Sequence, residues 1–218
     1  MRKMIPGLVA VLLAAGFGIW AYPQLPAEVA THFDINGDPN GWSSRSFAAL
    51  MMPVLGVVLL LIFATLPRID PRRANYSKFG STYWTVANSV GILLAGLHIV
   101  MLGKALGWAV DMTRVVGLGL GGLLVLLGNL MTRLRPNWFM GIRTPWTLSS
   151  DVVWRKTHRF GGVAFVLAGL GVLGAAVARS GWALYSAFGL TGAAAVSSVV
   201  YSYVVWRGEQ RAGTEVER

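Results

Sequence analysis

The chain has 218 residues, of which 55% are hydrophobic and only 13% charged, and its 19 Lys and Arg against 9 Asp and Glu give a formal net charge of +10. Apolar residues gathered in long uninterrupted runs exclude a water-soluble domain. The basic residues fall at the ends of those runs, which points to a membrane surface and against direct binding of nucleic acid. With no cysteine, disulfides, thiol catalysis and thiolate metal sites are excluded as well.

A helix needs about 20 mainly apolar residues, and at least ~17, to cross the hydrocarbon core. Six runs qualify, at 5–22, 47–66, 83–103, 115–131, 160–178 and 182–206. They are too long for strands and do not alternate polar with apolar. The expected fold class is therefore all-α, a polytopic membrane protein with six transmembrane helices and one membrane domain spanning 1–218. The first run has a basic start, but its core is longer than that of a signal peptide and no small-x-small cleavage site follows, so it reads as a retained span.

Charge sets the expected direction. With the N-terminus inside, the inner segments hold 15 of the 19 basic residues, and only Arg45, Lys104, Arg114 and Arg179 lie outside. This bias predicts both termini in the cytoplasm. Loop 23–46 is then extracytoplasmic, loops 67–82 and 132–159 are cytoplasmic, and residues 207–218 form a charged, disordered cytoplasmic tail.

In chain order, Pro23 and Pro26 stop the first helix and open the longest outer segment. Its Asn36-Gly37 and Asn40-Gly41 pairs, with Pro39 between them, ask for tight turns, so a folded loop is expected, with Trp42 at the interface. Asp34, Asn36, Asp38 and Asn40 alternate as calcium ligands do. Pro39 stands where such a loop needs glycine, however, and Arg45 where it needs a bidentate acid, so a turn-rich structural loop is the better reading. On the inner side the second span ends at Pro67. Asp70 is expected to pair with one of Arg68, Arg72 and Arg73, and Asn75 and Tyr76 to cap or anchor the third helix.

The third span carries Asn88, Ser89 and His98, polar groups that must face other helices or a water pocket because lipid cannot hydrogen-bond them. His98 is near the outer end, where it could approach His32 and Asp34 to make a cation or proton site; a histidine bonded to a neighbouring helix is the plainer reading. In span four, Gly117 and Gly121 form a GxxxG pair that predicts close helix packing, and Asn129 is placed to bond into the loop that follows.

That loop, NWFMGIRTPWTLSSDVVWRKTH from Asn137 to His158, is the densest part of the chain. Pro136 ends a helix, Gly141 permits a backbone that a side chain would obstruct, and Thr144-Pro145-Trp146 stiffens the chain beside Arg143, on which an indole could stack. Ser149 or Ser150 would cap a short helix with Asp151 in its first turn. On that helix Trp154 shares a face with His158, and it would run directly into span five.

These residues resemble the SdpI family of bacterial immunity membrane proteins. The loop motif Asn137-x-Phe139-x-Gly141-Ile142-Arg143-Thr144-Pro145-Trp146, followed by Trp154-x-Lys156-Thr157-His158, looks like the family signature. The outer segment His32-Phe33, Gly37-x-Pro39-x-Gly41-Trp42 is similar to the domain of unknown function that precedes it in those proteins. The resemblance covers residues 23 to 160; the last two spans match only in being apolar. It implies protection from a secreted peptide toxin and capture of a cytoplasmic winged-helix repressor at the membrane. Toxin or ligand contact would then lie at His32, Phe33, Asp34, Gly37, Pro39, Gly41, Trp42 and His98. Signalling would lie at Asn129, Asn137, Gly141, Arg143, Thr144, Pro145, Trp146, Trp154 and His158.

Two other classes compete. A small transporter or proton-coupled carrier would need ionisable groups near the midplane, yet the six spans contain no Asp, Glu, Lys or Arg. An enzyme would need converging acids, bases or metal ligands, but the three histidines fall on different levels and Asp151 is the only carboxylate of the inner loop. No enzyme activity and no cofactor are expected, and the sequence assigns no metal.

Overall fold

Six helices long and apolar enough to cross a membrane make up most of the chain. The structure is a computed structural model that describes residues 2–216, with side chains described for 3–212. In order the elements are α1 (Ile5–Ala21), β1 (Glu28–Phe33), β2 (Pro39–Ser44), α2 (Arg45–Ile69), α3 (Tyr76–Ala105), α4 (Met112–Met131), the short α5 (Pro145–Ser149), α6 (Asp151–Ala178) and α7 (Gly181–Val216). The protein is a multi-pass membrane protein. Large apolar side chains such as Leu13, Ile19, Leu61 and Val163 stand exposed around the bundle, a surface that lipid covers at no cost.

The helices pack as two groups of three. α1 and α2 lie on α3, α4 and α7 lie on α6, and α3 meets α4 between them. Small residues set the spacing, because lipid offers no hydrophobic drive for one helix to prefer another. Gly117 sits on Ala176 and Gly121 on Leu173, while Gly128 is so close to Gly162 that a Cβ there would come within 2.7 Å of the Gly162 carbonyl oxygen. The expected glycine packing of span four is thus made with α6. In the other group Asn88 of α3 satisfies the start of α1: its Oδ1 accepts from Gly7 N at 2.9 Å, and its Nδ2 donates to Lys3 O at 2.8 Å. Ser89 bonds within its own helix, to Thr85 O.

Several boundaries differ from the sequence expectation. Pro67 does not stop α2, which runs to Ile69; the Phe63 carbonyl that its missing N–H leaves free accepts instead from the Tyr83 hydroxyl at 2.8 Å. α3 begins at Tyr76 with a kink at Phe79, so most of the expected loop 67–82 is helix. α6 starts at Asp151, with Ser150 Oγ accepting from Val152 N and Val153 N, and continues unbroken into the span. α7 extends through the expected disordered tail to Val216, and Glu209 accepts a hydrogen bond from Ser150 Oγ at 2.8 Å; residues 217–218 lie outside the described residues. The outer loop is not helical or merely turned: β1 and β2 pair as an antiparallel hairpin, an addition to the all-α expectation.

Candidate functional site

At one end of the bundle the Asn137–His158 segment folds around its own buried polar groups. Asn137 is fully buried; its Oδ1 accepts from Phe139 N and Met140 N, and its Nδ2 donates to Arg135 O and Met140 O. One side chain thereby closes the turn that Pro136 opens. Gly141 has φ 103°, a conformation that suits glycine. A Cβ there would also collide with Nε2 of His158. The imidazole is held from both sides: Nε2 accepts from Ile142 N at 3.0 Å and Nδ1 lies 2.8 Å from Trp154 O, which fixes the neutral Nδ1–H tautomer. Trp154 stacks on it at 4.0 Å between ring centroids and donates its indole N–H to Leu134 O.

The rest of the segment is a capping box. Thr144 Oγ1 accepts from Thr147 N, and Thr147 Oγ1 accepts from Thr144 N, so α5 is closed at its first turn. Thr144 also meets Ser202 Oγ on α7 at 3.1 Å. A second loop is stitched to this one. Asp70 is buried, and its carboxylate accepts from Arg72 N, from the Tyr76 hydroxyl and from Trp138 N, at 2.7, 2.9 and 3.0 Å. Arg72 reaches Leu148 O, and Asn75 Nδ2 reaches Pro136 O. Three donors therefore stand in for the expected arginine partner, and among the described residues Asp70 forms no ion pair. Asn75 anchors the neighbouring loop and does not cap α3 with its side chain.

At the other end the hairpin lies over the bundle. Val29 and Leu25 enter a buried cluster with Ala48, Met101 and Met112. Asp34 Oδ1 accepts from Asn36 N and Asp38 N, both at 2.9 Å, and Gly37 turns the chain with φ 87°. The carboxylate that suggested a cation loop is thus engaged in the turn. Thr113 at the start of α4 donates to Ile35 O and pins the tip. Between the tip and the ends of α4 and α7 lies a mostly apolar cavity of about 200 Å³, bounded by Phe33, Asp34, Ile35, Val116, Leu184 and Phe188.

Residues 133–202 match the SdpI/YfhL protein family, and residues 9–57 match a domain of unknown function, DUF1648. The chain is also 29% identical over 174 residues to "Immunity protein SdpI" of Bacillus subtilis (strain 168), an alignment that covers 78% of this chain and 79% of that protein. The chain thus resembles the SdpI/YfhL family over residues 133–202 and an SdpI immunity protein over most of its length. No solved structure matches it. The family match reaches residue 202, so it takes in the rest of α6 and most of α7, beyond the residue 160 at which the resemblance in motifs ends.

In this chain the residues singled out by sequence separate into two kinds. Asn137, Gly141, Thr144, Trp154 and His158 form the interior of the signature fold, whereas Arg143 and Pro145 are exposed and Trp146 is half-buried. Arg143 donates to Trp138 O, and Trp146 packs on Tyr203, so the expected indole–guanidinium stack is not made. Asn129 does not bond into the loop; it is exposed on the outside of α4.

On the hairpin, Phe33 and Asp34 line the cavity, while His32, Pro39 and Trp42 are exposed and do not. Gly41 lies against the His32 side chain. His98 is fully buried in α3, against Gly18 of α1, and neither ring nitrogen has a hydrogen-bond partner. The structure does not gather His32, Asp34 and His98: among the described residues no group of three or more His, Asp or Glu could hold a metal. Asp70, Arg72 and Ser202 were missed as site residues because each has a partner on a distant segment, and Thr147, whose partners Thr144 and Ile142 are three and five residues away, was missed although its bonds are local.

Proposed function

We propose that this chain is a membrane immunity protein that protects its host from a secreted antimicrobial peptide, engaging the peptide at the hairpin end and acting without catalysis. The observation that carries the reading is the similarity to "Immunity protein SdpI" along 79% of that protein, together with the matches of residues 9–57 and 133–202, which hold the hairpin and the signature segment. The bias of basic residues favours the hairpin outside and the signature segment inside. An apolar cavity beside an exposed aromatic hairpin suits the apolar face of an amphipathic peptide. Exposed Trp138 and Arg143 on the other face offer a surface for a cytoplasmic repressor.

The test is expression in a sensitive bacterium that lacks immunity genes, followed by challenge with membrane-active secreted peptides. Survival is expected with the wild-type chain and is lost with Phe33→Ala, while the peptide is recovered at unchanged mass. Unchanged sensitivity to every peptide overturns the reading, and a cleaved peptide overturns its non-catalytic part.

A further inference from the structure

The α4–α6 crossing opens on its outer side into a trough that leads to a cluster of positive charge. Because Gly128 and Gly162 bring the two backbones together without side chains, a shallow groove of about 320 Å³ remains, walled by Val163, Val166 and Leu167. At its upper end it meets Thr132 and Arg159, and these two residues also bound a second cleft of about 440 Å³ with Arg135, Arg155 and Lys156. Arg135 and Arg155 continue into a third cleft, where Lys78 adds a base and Asp151 supplies its one carboxylate. Among the described residues no ion pair neutralises Arg135, Arg155, Lys156 or Arg159.

The polarity of α6 changes along this trough in one direction. Arg155, Arg159, Val163 and Leu167 follow at four-residue intervals and so line one face, charged at one end and apolar at the other. At about 1.5 Å per residue the stripe is roughly 18 Å long, close to half the ~40 Å thickness of a bilayer with its headgroups. Asn129 lies in the same trough, exposed near the end of a membrane-spanning helix, and its amide makes no hydrogen bond within the described residues. An amide at that level is costly in hydrocarbon unless something else bonds to it.

We propose that the trough is a binding site for one anionic phospholipid, its phosphate among Arg155, Lys156, Arg159 and Arg135, its ester carbonyl on the Asn129 amide, and an acyl chain along Gly128, Gly162, Val163 and Leu167. The charge complements a phosphodiester, and the groove beyond it matches an acyl chain in polarity and length. A membrane-spanning chain attracts basic residues at its ends in any case. What distinguishes this set is its convergence, without carboxylate partners, on a groove that descends into the apolar zone.

Native mass spectrometry of the purified full chain in detergent tests it, with phosphatidylglycerol, phosphatidylcholine and inorganic phosphate as the added probes. One phosphatidylglycerol is expected to stay bound per chain, with phosphatidylcholine and inorganic phosphate much weaker. Arg155→Gln with Arg159→Gln is expected to weaken phosphatidylglycerol by ~10-fold or more. Val163→Trp, on the lipid-facing wall, is expected to weaken it while leaving the charge intact. Arg133→Gln with Arg207→Gln removes the same charge away from the trough and is expected to change nothing. Equal retention of the two lipids, phosphate binding as tight as phosphatidylglycerol, or equal loss in the two double variants would each overturn the proposal.

Discussion

The two ends of this molecule use their polar residues in opposite ways. At the signature end a set of polar side chains is buried and committed, with Asn129 and Arg143 left exposed: Asn137, Thr144, Thr147, His158 and Asp70 all bond to backbone or to each other. At the hairpin end the backbone is held by a few such bonds, at Asp34 and Thr113, and His32 and Trp42 stand exposed. The difference teaches that a motif dense in unusual residues is not by that fact a contact surface. Buried polar groups need partners at a cost of a few kcal/mol each if left alone, so a compact polar loop at a membrane surface requires a particular sequence simply to close.

The comparison is broken most directly at Gly141. Gly141→Ala puts a Cβ into the imidazole of His158 at a backbone angle that alanine resists, and a loss of about 2–4 kcal/mol is expected. Thermal unfolding in detergent would show it; an unchanged midpoint would mean that the signature end is not rigid. Next is Asp70→Asn, which keeps the size of the side chain but turns one acceptor into a donor, facing either Arg72 N at the Oδ1 position or both the Tyr76 hydroxyl and Trp138 N at the Oδ2 position. A cost of about 2–3 kcal/mol is expected, and protease nicking between 67 and 82 would follow. The smallest effect is expected at the other end. His32→Ala and Trp42→Ala change exposed side chains, so the midpoint should shift by no more than ~0.5 kcal/mol in equivalent stability. If either unfolds the protein, the hairpin is as interlocked as the signature end and the contrast fails.

What the sequence showed follows the same division. The six spans were legible because a run of about 20 apolar residues has few other uses, and the short helix after Ser150 was legible as a continuation into the fifth span. Gly141 was recognised as a place where a side chain would obstruct, although its obstruction by His158 was not visible. The hairpin was hidden because EVATHF and PNGWSS have no strong alternation, and its register is decided by docking of Val29 and the Thr113–Ile35 bond. Asp70 was misassigned for a related reason. Arginines two and three residues away looked like its partners, whereas two of the three groups that bond to it are a tyrosine hydroxyl six residues on and a backbone N–H on another loop. Asn129 was expected to bond into the loop that follows it in sequence, but the helix leaves it exposed.

The amide of Asn88 carries a last consequence, for biogenesis. Helix α1 has no capping side chain of its own at its amino end, and the groups that complete its first turn belong to α3. During synthesis the first span is therefore unfinished when it enters the membrane and is completed only once the ribosome has delivered the third. A nascent chain halted before residue 88 would hold its leading turn only loosely, which makes the first three spans a single unit of assembly.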